Sequence, residues 1–441
     1  MTNQKPLILL ALNEINFEIA RQYVDGLDLR GFRAILSGDL RSTSSEVEYE
    51  ELEPWIQWVS AQTGQTAREH GIFRLGDIVS GKDAQFFEQI EAMGKQVGAV
   101  CPMNAENRLS KPAFFIPDPW TKTPSDGGFW SRHLTKAVAQ AVNDNSEGKL
   151  TAASALVLAL GVLRFARPRN YRHYAKLALR SRQAPWRKAL FLDLFLNDLH
   201  QGLRSARKPH FSMLFLNAGA HIQHHYMLNS RAVSTGARQN PSWYIGSHED
   251  PMAEMFVIYD SIIREYLEDK SINLILATGL RQVPYTQATF YYRLRDPANF
   301  LNAFGIRPAA VLPRMTRDCL LEFSSEEEAA EAQQIMQSIV SSVDQVPLFE
   351  EIDNRGQSLF VTLTYPNEIT GDTVAEGTGR RVPLLDHTVF VAIKNGKHDP
   401  QGYVYCQGEV AKYAPDDGDH VKNLHSTVMN FFGENNPAQA K

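Results

Sequence analysis

Cysteine is scarce in this chain. Only Cys101, Cys319 and Cys406 occur in 441 residues, far apart and without a CxxC spacing. That excludes a disulfide framework and points to a reducing cytoplasm. A dominant charge of one sign is also missing: the net charge is -5, which gives no footprint for nucleic acid. No apolar run is long enough to span a bilayer; the longest, Ala152 to Leu163, falls well short. The run Leu7 to Leu12 meets Asn13-Glu14 where a signal peptide would carry a small-residue cleavage site, so no targeting segment is expected. Internal repeats and low-complexity tracts are lacking. The remainder, 43% apolar and 22% charged, is ordinary for a soluble globular protein. The length suits two or three domains, or one large α/β domain with an inserted module.

One absence is local. Between Gly148 and Leu192 there is no acidic residue, yet ten basic ones occur between Lys149 and Lys188, Arg180 among them. From Phe129 to Ala206 the pattern is helical, with one breaker cluster at Arg167-Pro168-Arg169. An all-helical basic cap over 129–206 is therefore expected. Its surface either lies on anionic lipid, receives an anionic substrate, or is a solvated face paired with acidic loops elsewhere.

Around that insertion the chain reads as α/β. Pro6 to Leu12, Phe211 to Leu216 and Ile272 to Ala277 are compact apolar runs, each ending in polar residues, as buried parallel strands do. Gln96 to Cys101 and Ala113 to Ile116 look like further core strands. Asn16 reads either as a ligand-holding residue at the strand's end or as the cap of a helix from Phe17 to about Val24. Pro54 and Gly64 bound another helix. Helices and short strands between Pro297 and Ile393 suggest a small α+β subdomain, and a glycine-bounded turn then carries His398. The expected fold is a mostly parallel central sheet flanked by helices, with a core of 1–128 and 207–441.

The stretch from Asn217 to Tyr226 follows a strand and carries His221, His224 and His225. On a helix, residues three or four apart share a face, with Cβ atoms about 5–6 Å apart. Two imidazoles so placed share a metal readily, and a strand's carboxyl end is where open α/β sheets hold ligands. The competing reading is a helix with exposed or capping histidines.

Three segments together resemble the alkaline phosphatase superfamily, especially its type I phosphodiesterase/nucleotide pyrophosphatase and sulfatase-like branch. Leu7 to Glu14, with Trp58 to Gly64 and Glu69-His70-Gly71-Ile72-Phe73, is similar to that family's first strand and its W-T-S-L-L-T-G…H-G-I-F segment. Leu216 to His225 sits where the family has D-x-x-x-H, and Gly396 to Gly402 resembles its G-T-H-x-P-x-G element. The resemblance covers 1–80 and 205–410 and implies an alkaline-phosphatase-like fold. It implies one metal site of His221, His225 and His398, with His224 as the alternative ligand. The second metal site departs from the pattern: Asn13 replaces the first Asp, and Thr278-Gly279-Leu280-Arg281 lacks the S-D-H-G ligands. Pro54 stands where a Thr or Ser nucleophile is expected.

These residues imply a divalent metal, zinc first, with iron or manganese as alternatives. Glu14 and Glu53 are the expected catalytic carboxylates, as general base, as water-positioning group, or as ligands of a rebuilt second metal. Asn13, Gln57, Arg281 and Gln282 are the expected substrate-binding groups, Arg by pairing with phosphate or sulfate. His70 reads as structural and His387 as a secondary candidate. The expected function is a metal-dependent hydrolase or transferase of a phosphate or sulfate ester, such as a phosphorylated glycan or lipid-linked sugar. The alternatives are a different metal chemistry on the same fold, or an inactive scaffold that contacts anionic membrane through the basic cap.

Overall fold

Apolar runs flanked by polar residues can bury their backbone only by pairing it, and here they pair into one sheet. The structure is a computed structural model that describes residues 4–143, 151–179, 181–233, 240–285, 289–313 and 317–433. The strands that place the candidate site are β1 (Leu7–Leu12), β2 (Leu40–Thr43), β3 (Val97–Val100), β4 (Phe114–Ile116), β5 (Phe211–Leu216), β6 (Asn273–Ala277) and β7 (Arg281–Pro284). Every residue of β1, β5 and β6 except polar Ser212 and Asn273 is apolar, and all are buried. The central sheet has seven strands in the order β2, Gly402–Gln407, β6, β1, β5, β3, β4. Leu7 pairs with Phe211 on one side and Asn273 on the other, in parallel register. Only Gly402–Gln407 runs antiparallel to its neighbours. The carboxyl ends of β1, β5 and β6 therefore open side by side at the middle of the sheet.

Helices flank the sheet: α1 (Phe17–Tyr23), α2 (Arg30–Leu36), α3 (Pro54–Thr63), α4 (Ala67–His70), α5 (Phe86–Ala92), α6 (Phe129–Asn143), α7 (Ala152–Phe165), α8 (Tyr171–Ala178), α9 (Trp186–Arg207), α10 (Ala218–Tyr226) and α11 (Pro251–Glu268). The fold is thus α/β, with a mostly parallel central sheet covered by helices. Among the described residues, no helix is long and apolar enough to cross a membrane.

The chain divides into two compact units, one of Met1–Gln239, Ser247–Pro284 and Gly396–Lys441, the other of Asn240–Gly246 and Tyr285–Asn395. The described residues of 129–206, the expected cap, are mainly helical and fall in the first unit with the sheet. The last of these helices, α9, packs on β3, β5, α10 and α11 and is a sheet-flanking helix. Buried polar groups tie the rest of the cap to it. Glu265 of α11 pairs with Arg167 (2.5 Å) and Arg169 (3.2 Å), and Asp198 of α9 accepts from the Arg167 amide (2.9 Å) and Asn170 (2.7 Å). Lys149 and Arg180 of the basic run lie outside the described residues.

The second unit holds a four-stranded antiparallel sheet in the order Ile352–Asn354, Ser358–Thr362, Asp318–Glu322, Ala310–Pro313. Phe300, Leu321, Met336 and Leu359 fill its core. It has more strands than the sequence pattern suggested. The additional ones, such as Val374–Gly377 and Arg380–Pro383, are only four residues long and partly polar.

Candidate metal centre

Glu14 follows β1 directly and is the fixed point of the site. Its backbone is left-handed, with φ at 61°. Such a conformation costs a non-glycine residue about 1 kcal/mol or more and persists only where neighbours impose it. Here they do. The Glu14 amide donates to the Thr278 carbonyl (3.0 Å), and its own carbonyl accepts from the Gln223 side chain (2.8 Å) and the Gln282 amide (3.3 Å). Asn16 holds the turn beyond it, capping α1 by accepting from the amides of Glu18 (2.9 Å) and Ile19 (3.1 Å). The Glu14 side chain is consequently buried and aimed.

Both carboxylate oxygens are engaged. Oε1 accepts from Asn13 Nδ2 at 2.9 Å. Asn13 is itself held by Asn217 Oδ1 (2.8 Å) and by the indole N–H of Trp58 (2.9 Å). Oε2 accepts from Gln282 Nε2 and faces two imidazoles, His224 Nε2 at 3.1 Å and His398 Nε2 at 3.3 Å. Burial pushes the Glu14 pKa up. The charges of His398 and His224, and their hydrogen bonds, outweigh it and hold the carboxyl well below the usual carboxylate range. Glu14 is therefore an anion in a buried site.

His398 reaches Glu14 by strand pairing. The expected turn is a short strand, Gly396–Asp399, antiparallel to β7, with His398 opposite Gln282 and Asp399 opposite Arg281. Side chains alternate along a strand, so cross-strand partners share a face. Gln282 and His398 face Glu14. Arg281 and Asp399 pair with each other instead, at 2.8 Å, and Arg281 also binds Glu18 (3.0 Å) and the Tyr403 hydroxyl (2.8 Å). The ladder is tight at its start, because a methyl group on Gly396 would overlap Gln282 Oε1 and lie 2.8 Å from the Gln223 carbonyl oxygen.

His224 comes from α10, and helix rotation decides which histidine reaches the site. Each residue turns the helix about 100°, so His224 lies one turn below Ala220, while exposed His221 and half-buried His225 lie further round the helix. The Ala220 carbonyl accepts from Gln282 Nε2 (3.1 Å), which places that side of the helix against Glu14. His221 and His225 instead meet each other, ring centroids 4.7 Å apart. The set that converges is Glu14, His224 and His398, whose ligand atoms lie within 4.8 Å of one another. The expected set of His221, His225 and His398 is not the one that converges, because the former two lie further round the helix and meet each other.

The start of α10 is clasped by a neighbouring helix. Asp193 of α9 accepts from the amides of Ala218 (2.8 Å) and Asn217 (3.4 Å) and from the Tyr259 hydroxyl (2.7 Å). The Tyr259 hydroxyl in turn accepts from the Gly219 amide at 2.8 Å. The pattern reading missed this clasp, although an acid within the apolar run Phe191-Leu192-Asp193-Leu194-Phe195 signals a buried polar contact.

The other expected residues take these places. Glu53 precedes α3, and its Oε2 lies 3.7 Å from His398 Nδ1, on the ring edge opposite Glu14. Asn13 and Gln282 orient Glu14. Gln57 is buried and donates to the Glu51 carbonyl (2.8 Å). Arg281 is occupied by Asp399 and Glu18. Each of the four thus contacts the protein's own groups, while the side-chain oxygens of Gln57 and Gln282 are buried without a hydrogen-bond partner among the described residues. His70 is structural: its Nδ1 accepts from the Ile72 amide (2.9 Å) and its Nε2 meets Ser60 Oγ (3.1 Å). His387 stacks edge-on against Phe300 in the second unit.

No protein-family model and no curated protein matches this chain. Among solved structures it is similar to phosphonoacetate hydrolase from Sinorhizobium meliloti, at 12% identity over 97% of this chain and 96% of that one, with a TM-score of 0.45. It is similar to human ectonucleotide pyrophosphatase/phosphodiesterase 5, at 10% identity over 98% and 95%, with a TM-score of 0.42. It is also similar to a mutant of the alkaline phosphatase PafA, at 10% identity over 98% and 96%, with a TM-score of 0.43.

Proposed function

We propose that the chain is a metal-dependent hydrolase of phosphate esters, of the alkaline phosphatase type that its motifs resemble, with one divalent cation held by Glu14, His224 and His398. The observation that carries this reading is the convergence of two imidazole nitrogens and one carboxylate oxygen within 4.8 Å. The donor set fits a cation: the carboxylate is ionised, its second oxygen is held by Asn13, and both histidines are on defined elements. Two imidazoles and a carboxylate suit zinc and leave room for substrate. A bound divalent ion supplies Lewis-acid stabilisation of charge developing on an ester oxygen.

The chain's own residues supply the rest. Glu53 is one-third exposed and sits beside His398, so it can accept a proton from an attacking water. Pro54 offers no hydroxyl, which favours direct attack. One bond forms from water to phosphorus, the bond from phosphorus to the leaving oxygen breaks, the water proton passes to Glu53, and the departing alkoxide takes a proton from solvent. Asn13 and Gln282 keep the Glu14 carboxylate oriented throughout.

The test is turnover of p-nitrophenyl phosphate, bis-p-nitrophenyl phosphate and p-nitrophenyl sulfate by the zinc-loaded chain and its Glu53→Gln variant. The reading expects phosphate-ester turnover that falls about 10²-fold or more in the variant while metal is retained. No turnover of any ester with zinc, iron or manganese would overturn it. The same donor set also suits iron. Iron retained through purification, with no ester turnover, would favour a non-hydrolytic metalloenzyme.

A further inference from the structure

The helix α7 is apolar on the side that should be polar. Leu156, Leu160 and Leu163 lie at i, i+4 and i+7, so they share one face, and they are 59%, 45% and 81% exposed. The opposite face, with Gly161 and Phe165 buried, packs on α6 and α9. A surface helix ordinarily turns its leucines inward; this one has leucines to spare after its core contacts are made.

The charged residues of the cap sequence from 149 to 191 are all basic. Arg164, Arg172, Lys176, Arg182 and Lys188 are exposed and form no ion pair with an acidic residue among the described residues. Their neighbours behave differently: Arg167 and Arg169 hold Glu265, and Arg187 holds Glu254 through Nε at 2.8 Å. The structural arginines of the cap thus have buried carboxylates, while the outer basic residues form no ion pair among the described residues, although the charge of Lys176 is felt at Glu254. The sequence from 149 to 191 contains no acid, although Asp144 and Glu147 precede it.

We propose that this face of the cap docks on an anionic lipid bilayer, with Leu156, Leu160 and Leu163 entering the interface and the outer basic residues contacting the headgroups. Charge complementarity selects this occupant. A second copy would bring the same basic rim against itself, which opposes pairing. An apolar face bordered by Lys and Arg is what interfacial helices present to anionic membranes. Fourteen residues of helix span about 21 Å, enough to lie in the interface and too little to cross it. The inference stands apart from the metal site, and neither depends on the other.

The experiment is sedimentation of the full chain with vesicles of phosphatidylcholine alone and of equal parts phosphatidylcholine and phosphatidylglycerol. The expected result is binding to the mixed vesicles, little to the neutral ones, and weakening with added salt. Leu160→Asp should lower partitioning about tenfold or more. The double change Arg172→Glu with Lys176→Glu should do at least as much, since each basic residue near the surface contributes about fivefold. Both variants alter exposed side chains, so circular dichroism and turnover of a soluble ester should stay unchanged. Failure of the wild type to bind mixed vesicles at low salt would overturn the proposal. So would equal binding to both vesicles, or unchanged binding by Leu160→Asp. A concentration-dependent dimer in the ultracentrifuge that Leu160→Asp dissolves would also overturn it, because a second copy would then cover the face.

Discussion

Replacing Asp193 by Asn tests how the site helix is held. Asp193 is buried and accepts three hydrogen bonds, two of them from the first amides of the α10 region. Burial pushes its pKa up to about 6, against the lowering effect of the bonds from Tyr259, Ala218 and Asn217. The unfolded value is about 3.9, so the folded chain binds this proton more tightly. The resulting stabilisation is complete below about pH 4 and lost as pH rises through about 6. Between about pH 4.5 and 7 the loss amounts to about 2 kcal/mol for this one group. Asn cannot titrate and keeps one acceptor for the Ala218 amide. Its fixed cost, from turning the Tyr259 hydroxyl, is about 1–2 kcal/mol at any pH. Urea unfolding at the two pH values should therefore show Asp193→Asn destabilising by about 1–2 kcal/mol at pH 7 and by about 2 kcal/mol more at pH 4.5. An equal cost at both values, or a larger one at pH 7, would refute the argument that burial dominates at Asp193.

Other outcomes follow from the ladder that carries His398. Gly396→Ala would force its methyl into Gln282 and the Gln223 carbonyl; it should cost about 1–3 kcal/mol in a denaturant titration and weaken metal binding by shifting His398. Arg281→Ala should lower stability by about 1–3 kcal/mol through the lost Asp399 and Glu18 pairs and leave KM for a phosphate ester unchanged. A raised KM with unaltered stability would return Arg281 to the substrate.

The buried strands were plain in the sequence because an apolar run covered on both faces has one reading. Glu14 was legible for the same reason, as the acid just past β1. The ligand set was less so. Periodicity places His221, His224 and His225 on one helix, but which faces Glu14 depends on how α10 is rotated, and Asp193 and Tyr259 from distant helices fix that rotation. Arg281 looked free because its partner Asp399 lies 118 residues away, across a two-strand ladder that no local pattern announces. The basic cap showed its helices and its lack of acids. Its division into inner arginines on Glu265 and Glu254 and outer basic residues that form no ion pair among the described residues required the packing.

Metal content by element, measured on the full chain and its His224→Ala, His225→Ala and His398→Ala variants, bears most directly on the proposed centre. The account predicts about one divalent ion per wild-type chain, lost on changing His224 or His398 and kept on changing His225. Loss of the ion in His225→Ala with retention in His224→Ala would contradict it.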